Sequence, residues 1–130
     1  MNSNADKWFS IYTRLKNCDE NGIGTCVTCG KMQHVKHQHC GHYIGRQHMA
    51  TRFDEMNAGI QCVNCNSFNE GRKDVYEKYL IEKHGKQNID LLKLRGKSTK
   101  HFSKFELDQI AKYYKSEAEK LAKVKQIKIW

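Results

Sequence analysis

Four of the six cysteines come as two short pairs, Cys26-Val27-Thr28-Cys29 and Cys62-Val63-Asn64-Cys65. A C-x-x-C unit turns tightly enough for two thiolates to meet one ion, and two such units complete the tetrahedral set that suits zinc. Gly30, directly after Cys29, supplies the backbone freedom that such a knuckle uses. A zinc held by four thiolates keeps no position open for water, so it would staple the fold rather than catalyse. Any catalysis must come from what the pairs hold between them. That stretch carries His34, His37, His39, His42 and His48 with Arg46, Arg52 and Asn57, and Asn66 follows the second pair. Imidazole titrates near neutral pH, so it can take a proton from water or bind a metal. Phosphodiester hydrolysis needs an activated water and a cation against the charge on the phosphate oxygens. A histidine base beside a divalent ion supplies both. His42, between Gly41 and Tyr43, is the candidate base, whereas His34, His37 and His48 read as exposed or packed side chains.

The elements around this stretch are more regular. Trp8, Ile11, Tyr12 and Leu15 recur at helical spacing and predict a helix over Asp6 to Lys16. Asp19 to Gly24 is a turn-rich break. Cys26 to Cys65 has little helical periodicity and reads as knuckles, short strands and loops, with the second knuckle opening a helix. Val75, Tyr76, Tyr79 and Leu80 form a stripe that ends near His84-Gly85, a helix-stop signal. Ile89 to Leu94 predicts another short helix, and Gly96 to Lys100 a basic linker. Ser103-Lys104-Phe105-Glu106 matches a capping box, and Leu107, Ile110, Ala111, Tyr114, Ala118 and Leu121 continue at helical spacing, as a core-facing stripe.

Composition sets the partner class. The chain has 130 residues, 38% of them hydrophobic, and a formal charge of +9 at pH 7. The apolar fraction is lean for a large core, which makes a metal staple useful. A basic surplus of this size favours polyanions through counterion release. No run is long and apolar enough to cross a bilayer, and no apolar signal region is visible after Met1. A soluble, cytoplasmic protein is therefore expected. In such a compartment paired cysteines read as a zinc site rather than as disulfides. Cys18 and Cys40 have no partner at matching spacing.

Taken together, Cys26-Val27-Thr28-Cys29-Gly30, Gly41-His42-Tyr43-Ile44, Arg52-Phe53-Asp54-Glu55-Met56-Asn57 and Gln61-Cys62-Val63-Asn64-Cys65-Asn66 resemble the phage NinG/Rap recombination family, among the HNH or His-Me finger nucleases. Tyr12-Thr13-Arg14-Leu15 and Tyr76-Glu77-Lys78-Tyr79-Leu80-Ile81 extend the likeness over most of the chain. The resemblance implies an α+β fold with a small ββα-metal, HNH-like treble-clef core, stapled by structural Zn²⁺ and flanked by N-terminal and C-terminal helices. Residues 23–85 would form that core, 1–22 an N-terminal helix and turn, and 86–130 a basic linker and helix. His42 would be the general base and Asn57 the residue that orders the loop and orients it. Asn66 matches the position that binds a catalytic divalent ion, Mg²⁺ or Mn²⁺, in related zinc-knuckle resolvases. The second ligand in the family is usually an aspartate shortly before the Gly-His, a place held here by His39. An imidazole there shifts preference from magnesium toward manganese, nickel or zinc.

The family's association with branched recombination intermediates, Holliday junctions and D-loops, implies a structure-selective endonuclease. An HNH nickase or double-strand cutter without branch preference is the nearest alternative, and a non-catalytic zinc-finger DNA-binding protein the next. Arg46, Arg52, Arg72 and Lys73 flank the candidate site and are the first candidates for phosphate contacts, with Lys93, Arg95, Lys97, Lys100 and Lys104 as a second basic cluster. No base-reading motif is visible, so backbone and shape recognition is expected. Resolving a four-way junction takes two cuts, which predicts a homodimer through the N- or C-terminal helices.

Overall fold

Ser3 and Asp6 start the first helix by capping each other. Ser3 Oγ accepts from the Asp6 N–H at 3.1 Å, and the Asp6 carboxylate accepts from the Ser3 N–H at 3.0 Å. The computed structural model describes residues 3–130. In chain order they form α1 (Asn4–Asn17), β1 (Ile23–Thr25), β2 (Met32–His34), a 3-10 turn (Val35–His37), β3 (His39–His42), the one-turn helix α2 (Met49–Arg52), a second 3-10 turn (Glu55–Asn57), β4 (Ala58–Gln61), a π turn (Asn64–Phe68), α3 (Lys73–His84), α4 (Lys86–Gly96) and α5 (Lys104–Lys125).

α1 is buried on two sides. Its predicted stripe, Ile11 and Leu15 with Trp8 and Tyr12 at the margins, packs on Ala118, Leu121 and Ala122 of α5. Phe9 lies off that stripe yet is only 1% exposed. Its ring meets Phe53 edge-on at 5.7 Å and Tyr114 at 5.0 Å. Full burial of one such side chain contributes about 1.5–3 kcal/mol. The segments before residue 23 and after residue 103 thus form one helical layer, with α1 also packed on β3 and β4. α5 begins at the predicted Ser103–Glu106 capping box. Lys125 in its last turn reaches back to the end of α1, where its ammonium donates to the carbonyls of Leu15 (2.7 Å) and Cys18 (2.8 Å). A cation there satisfies carbonyls that the helix leaves unpaired.

Among the described residues, two antiparallel two-stranded sheets make up the sheet structure. β1 pairs with β2, Gly24 opposite Gln33, and the first cysteine knuckle sits at the tip. The Cys26 N–H donates to the Lys31 carbonyl, and Gly30 turns the chain at φ +80°. β3 pairs with β4 in the register His39↔Gln61, Cys40↔Ile60, Gly41↔Gly59 and His42↔Ala58.

The facing glycines explain what precedes His42. A Cβ on Gly41 would lie 1.9 Å from Gln61 Oε1, and one on Gly59 would lie 3.0 Å from the Tyr76 hydroxyl. The bare strand face lets Tyr76 donate to the Gly41 carbonyl at 2.7 Å. It also lets the Gln61 amide cross to Thr28 Oγ1 (3.2 Å) and the Gly71 carbonyl (2.9 Å). These bonds tie the first knuckle, the β3–β4 hairpin and the turn before α3 into one unit.

The second knuckle opens a helical turn, but only the short π turn that contains Cys65, not α3. After it Glu70, Gly71 and Arg72 all take left-handed backbone, at φ +53°, +78° and +47°. Three consecutive residues in that region end any helix, so α3 starts only at Lys73. α3 and α4 then fold back on each other at Gly85 (φ +87°) around Tyr76, Leu80, Ile89 and Leu92.

Replacing Gly41 with alanine should displace Gln61 and lower stability by about 1–3 kcal/mol, the usual cost of overpacking. Urea unfolding of the Gly41→Ala variant measures this, and an unchanged midpoint would refute the close fit.

Candidate functional site

The two knuckles converge. The sulfurs of Cys26, Cys29, Cys62 and Cys65 all lie within 4.8 Å of one another, with Cys29 and Cys62 at 3.6 Å. Tetrahedral zinc with thiolates at about 2.3 Å would hold its sulfurs about 3.8 Å apart, so the four could hold a structural metal such as zinc. Cys26, Cys62 and Cys65 are buried and Cys29 is exposed. Burial raises the Cys26 thiol, but the Thr28 hydroxyl at 3.3 Å and neighbouring backbone N–H groups outweigh it and bring it down to about 6. Burial and then the adjoining sulfurs push Cys29 up to about 12. The remaining cysteines stand apart from this cluster. Cys18 is buried at the end of α1, and burial pushes the Cys40 thiol up to about 11.

Beyond β3 lies a cleft of about 570 Å³ whose lining includes His39, His42, Asn66, Arg14, Arg46 and Trp130. His39 comes from the start of β3 and Asn66 from the π turn, and their side chains meet, Asn66 Nδ2 to His39 Nδ1, at 3.0 Å. Burial, and then the charge of Arg14, lower the His39 pKa. His42 ends β3. Its Nε2 lies 2.9 Å from the main-chain oxygen of Arg52, and its ring centroid is 5.9 Å from that of Phe9. Burial, aided by the charge of Arg46, lowers its pKa to about 4 against the Arg52 carbonyl, which raises it.

Asn57 makes no contact with the cleft. It is fully buried, its amide donating to the carbonyls of Ile44 (2.9 Å) and Thr51 (3.1 Å), while its Oδ1 accepts from the Ile44 N–H at 2.7 Å. Its main-chain carbonyl accepts from the Tyr43 N–H at 3.0 Å. These bonds close the loop between His42 and α2, and so fix the Arg52 carbonyl against the His42 ring. Asp6 completes the arrangement from α1. Its carboxylate takes two hydrogen bonds from the Arg52 guanidinium, at 2.6 and 2.8 Å, and lies 3.4 Å from Arg46. Although burial works against it, the Arg52 and Ser3 bonds lower the Asp6 pKa to about 2.

A family model described as the bacteriophage lambda NinG protein matches residues 1–125. The chain belongs to the NinG family. That membership ties it to phage recombination. No curated protein and no solved structure matches the chain significantly. Among the described residues, no helix of this NinG-family chain is long and apolar enough to cross a membrane.

The basic residues divide by environment. Arg52 is engaged with Asp6 and only 14% of its side chain is exposed, whereas the Arg46 side chain, on the same carboxylate, is 40% exposed. Arg72 takes the left-handed turn before α3, and Lys73 donates to the His42 carbonyl from the start of that helix. In the second cluster, Lys93, Arg95 and Lys100 sit on Glu77, Asp54 and Glu106. Exposed pairs of this kind are weak and exchange readily. Neither Asp6 nor Trp130 stands in a motif that marks it for the site, and Arg14 falls only within the upstream likeness. Arg14 returns from α1 to donate to the carbonyls of Val35 (3.0 Å) and Gln38 (2.9 Å) while bordering the cleft. Only its place beside Leu15 on a helix was visible in sequence, and that carries no signal for a contact across 20 residues or more.

Two expectations follow from this geometry. Cys26→Ser should lose bound zinc and the cooperative unfolding of the β-hairpins, read by metal analysis and circular dichroism. A stable, zinc-free Cys26→Ser chain would contradict the staple. The second concerns acid. Unfolded, His42 takes its proton near 6.5; folded, only near 4. Between those values the unfolded chain binds the extra proton, so stability present above pH 6.5 falls as the pH drops toward about 4. His42→Gln should flatten that part of the stability–pH curve, and an unaltered slope would mean that the ring is not held neutral.

Proposed function

We propose that the chain is a metal-dependent DNA endonuclease that hydrolyses phosphodiester bonds in branched recombination intermediates. The observation that carries this reading is the bond between His42 Nε2 and the Arg52 carbonyl, at the edge of a cleft that also holds His39 and Asn66. A carbonyl only accepts, so Nε2 carries the ring proton and Nδ1 keeps its lone pair. A low pKa keeps that lone pair available throughout the neutral range. In this reading His42 takes the proton from the attacking water, and Asn57 positions it by holding the loop that presents the Arg52 oxygen.

β3, β4 and the turn carrying Asn66 then correspond to the ββα-metal core of HNH nucleases, with zinc on the four cysteines as its structural ion. His39 and Asn66 stand side by side on the cleft wall, Asn66 Nδ2 3.0 Å from His39 Nδ1, and with the amide turned to present Oδ1 the pair would offer a catalytic divalent cation two neutral ligands. Among the described residues, the one carboxylate side chain lining the cleft, Asp6, is held by arginines. An imidazole ligand would suit Mn²⁺ better than Mg²⁺. A cation held there would supply charge neutralisation at the phosphate oxygens, which would compensate for a weakly basic His42. Arg46 and Arg14 border the cleft and would hold the phosphate, with Arg72 and Lys73 beyond it. Arg52 would act chiefly through Asp6. Paired cuts across a junction would come from a homodimer.

Purified protein on matched four-way, forked and linear DNA, with Mg²⁺ or Mn²⁺ added or withheld, tests the reading. His42→Ala should lower cleavage by at least about 100-fold and leave DNA affinity within about twofold, since its ring makes no phosphate contact in this scheme. A wild-type chain that binds DNA but cuts none of these substrates with either ion would leave a zinc-stapled binding protein. Equal cutting of all three would leave a nuclease without branch preference.

A further inference from the structure

Trp130 borders two cavities, and among the described residues no other lines both. One is the cleft of His39, His42 and Asn66. The other, of about 590 Å³, is lined by His34, Lys36, Lys125 and Lys128, and among the described residues Glu20 is the one acidic side chain lining it. The ring's place is built rather than accidental. Gln126 leaves α5 in left-handed backbone (φ +56°), and the Ile127 N–H donates back to the Ala122 carbonyl at 2.9 Å. The chain then alternates, with Ile127 and Ile129 packed on the α1–α5 core and Lys128 and Trp130 exposed. The Arg14 guanidinium lies 4.8 Å from the Trp130 ring centroid, and the His34 ring meets it edge-on at 6.3 Å. Even so, 36% of Trp130 remains accessible.

An exposed indole beside lysines is the combination that binds single-stranded nucleic acid, because every base offers a face to stack on. A linear duplex keeps its bases stacked internally, whereas a branch point supplies unpaired ones at little cost. We propose that Trp130 is a stacking post for an unpaired DNA base at a branch. It divides the strand entering the cleft from a second strand whose phosphates lie along Lys36 and Lys128. This rests on reading the cleft as a nuclease site, and it gives branch preference a physical source. Trp130 lies beyond residues 1–125, which the NinG family model matches.

The chain has two tryptophans, so a Trp8→Phe background isolates the signal of Trp130. Without added divalent ion, a forked DNA with single-stranded arms should quench that fluorescence, and the matched linear duplex should not. Trp130→Ala should weaken fork binding by about tenfold and duplex binding by less than about twofold, while Trp130→Phe retains most of the fork affinity. Thermal melts establish that each variant is folded. An unquenched fork complex, or equal weakening of fork and duplex in Trp130→Ala, overturns the proposal. Failure of the nuclease reading shows elsewhere, as a fork complex that quenches Trp130 but is never cut when Mg²⁺ or Mn²⁺ is added.

Discussion

Gathering four sulfurs within 4.8 Å of one another constrains everything between residues 26 and 65. The knuckles lie 33 residues apart in pairs such as Cys29 and Cys62, and closing that loop costs entropy that three- and four-residue strands cannot recover alone. Zinc bound by all four would contribute that closure as binding energy. The hairpins then need only align what has already been brought together. Gln61, bonded to both Thr28 and Gly71, carries the convergence from the cysteines into the strand that faces His42.

From the β3–β4 hairpin outward, order passes through main-chain groups more than through charges. Asn57 is fully buried, and its hydrogen bonds reach only the loop residues Ile44 and Thr51, yet they decide where the Arg52 carbonyl stands. α1 presses on the other side, with Phe9 against Phe53 and Asp6 against Arg52. The cleft is therefore bounded by elements whose positions depend on the helical layer as well as on the cysteine cluster.

What was legible in the sequence was local. The paired cysteines announce their convergence by spacing, and the capping box at Ser103 and the stripe behind it mark α5 correctly. The approach of His39 to Asn66 was accessible only through a family pattern, because residues 27 positions apart share no periodicity. Phe9 was missed because a helix buried on two sides has no single apolar stripe. Asp6 with Arg52, and Arg14 with Val35 and Gln38, were missed for a different reason: long-range hydrogen bonds leave no trace in composition. The delayed start of α3 was hidden too, since Glu70 and Arg72 are not residues that announce left-handed backbone.

Arg52 serves two masters with different parts of itself. Its guanidinium fastens the start of α1, and its peptide oxygen orients an imidazole. Side-chain replacement can remove the first contribution but never the second, because every amino acid brings a carbonyl. The position can therefore drift in sequence while retaining its directional influence on the ring, provided that Asp6 finds another anchor. The side chain at residue 52 does the tethering, and the acceptor comes with the backbone whichever residue stands there.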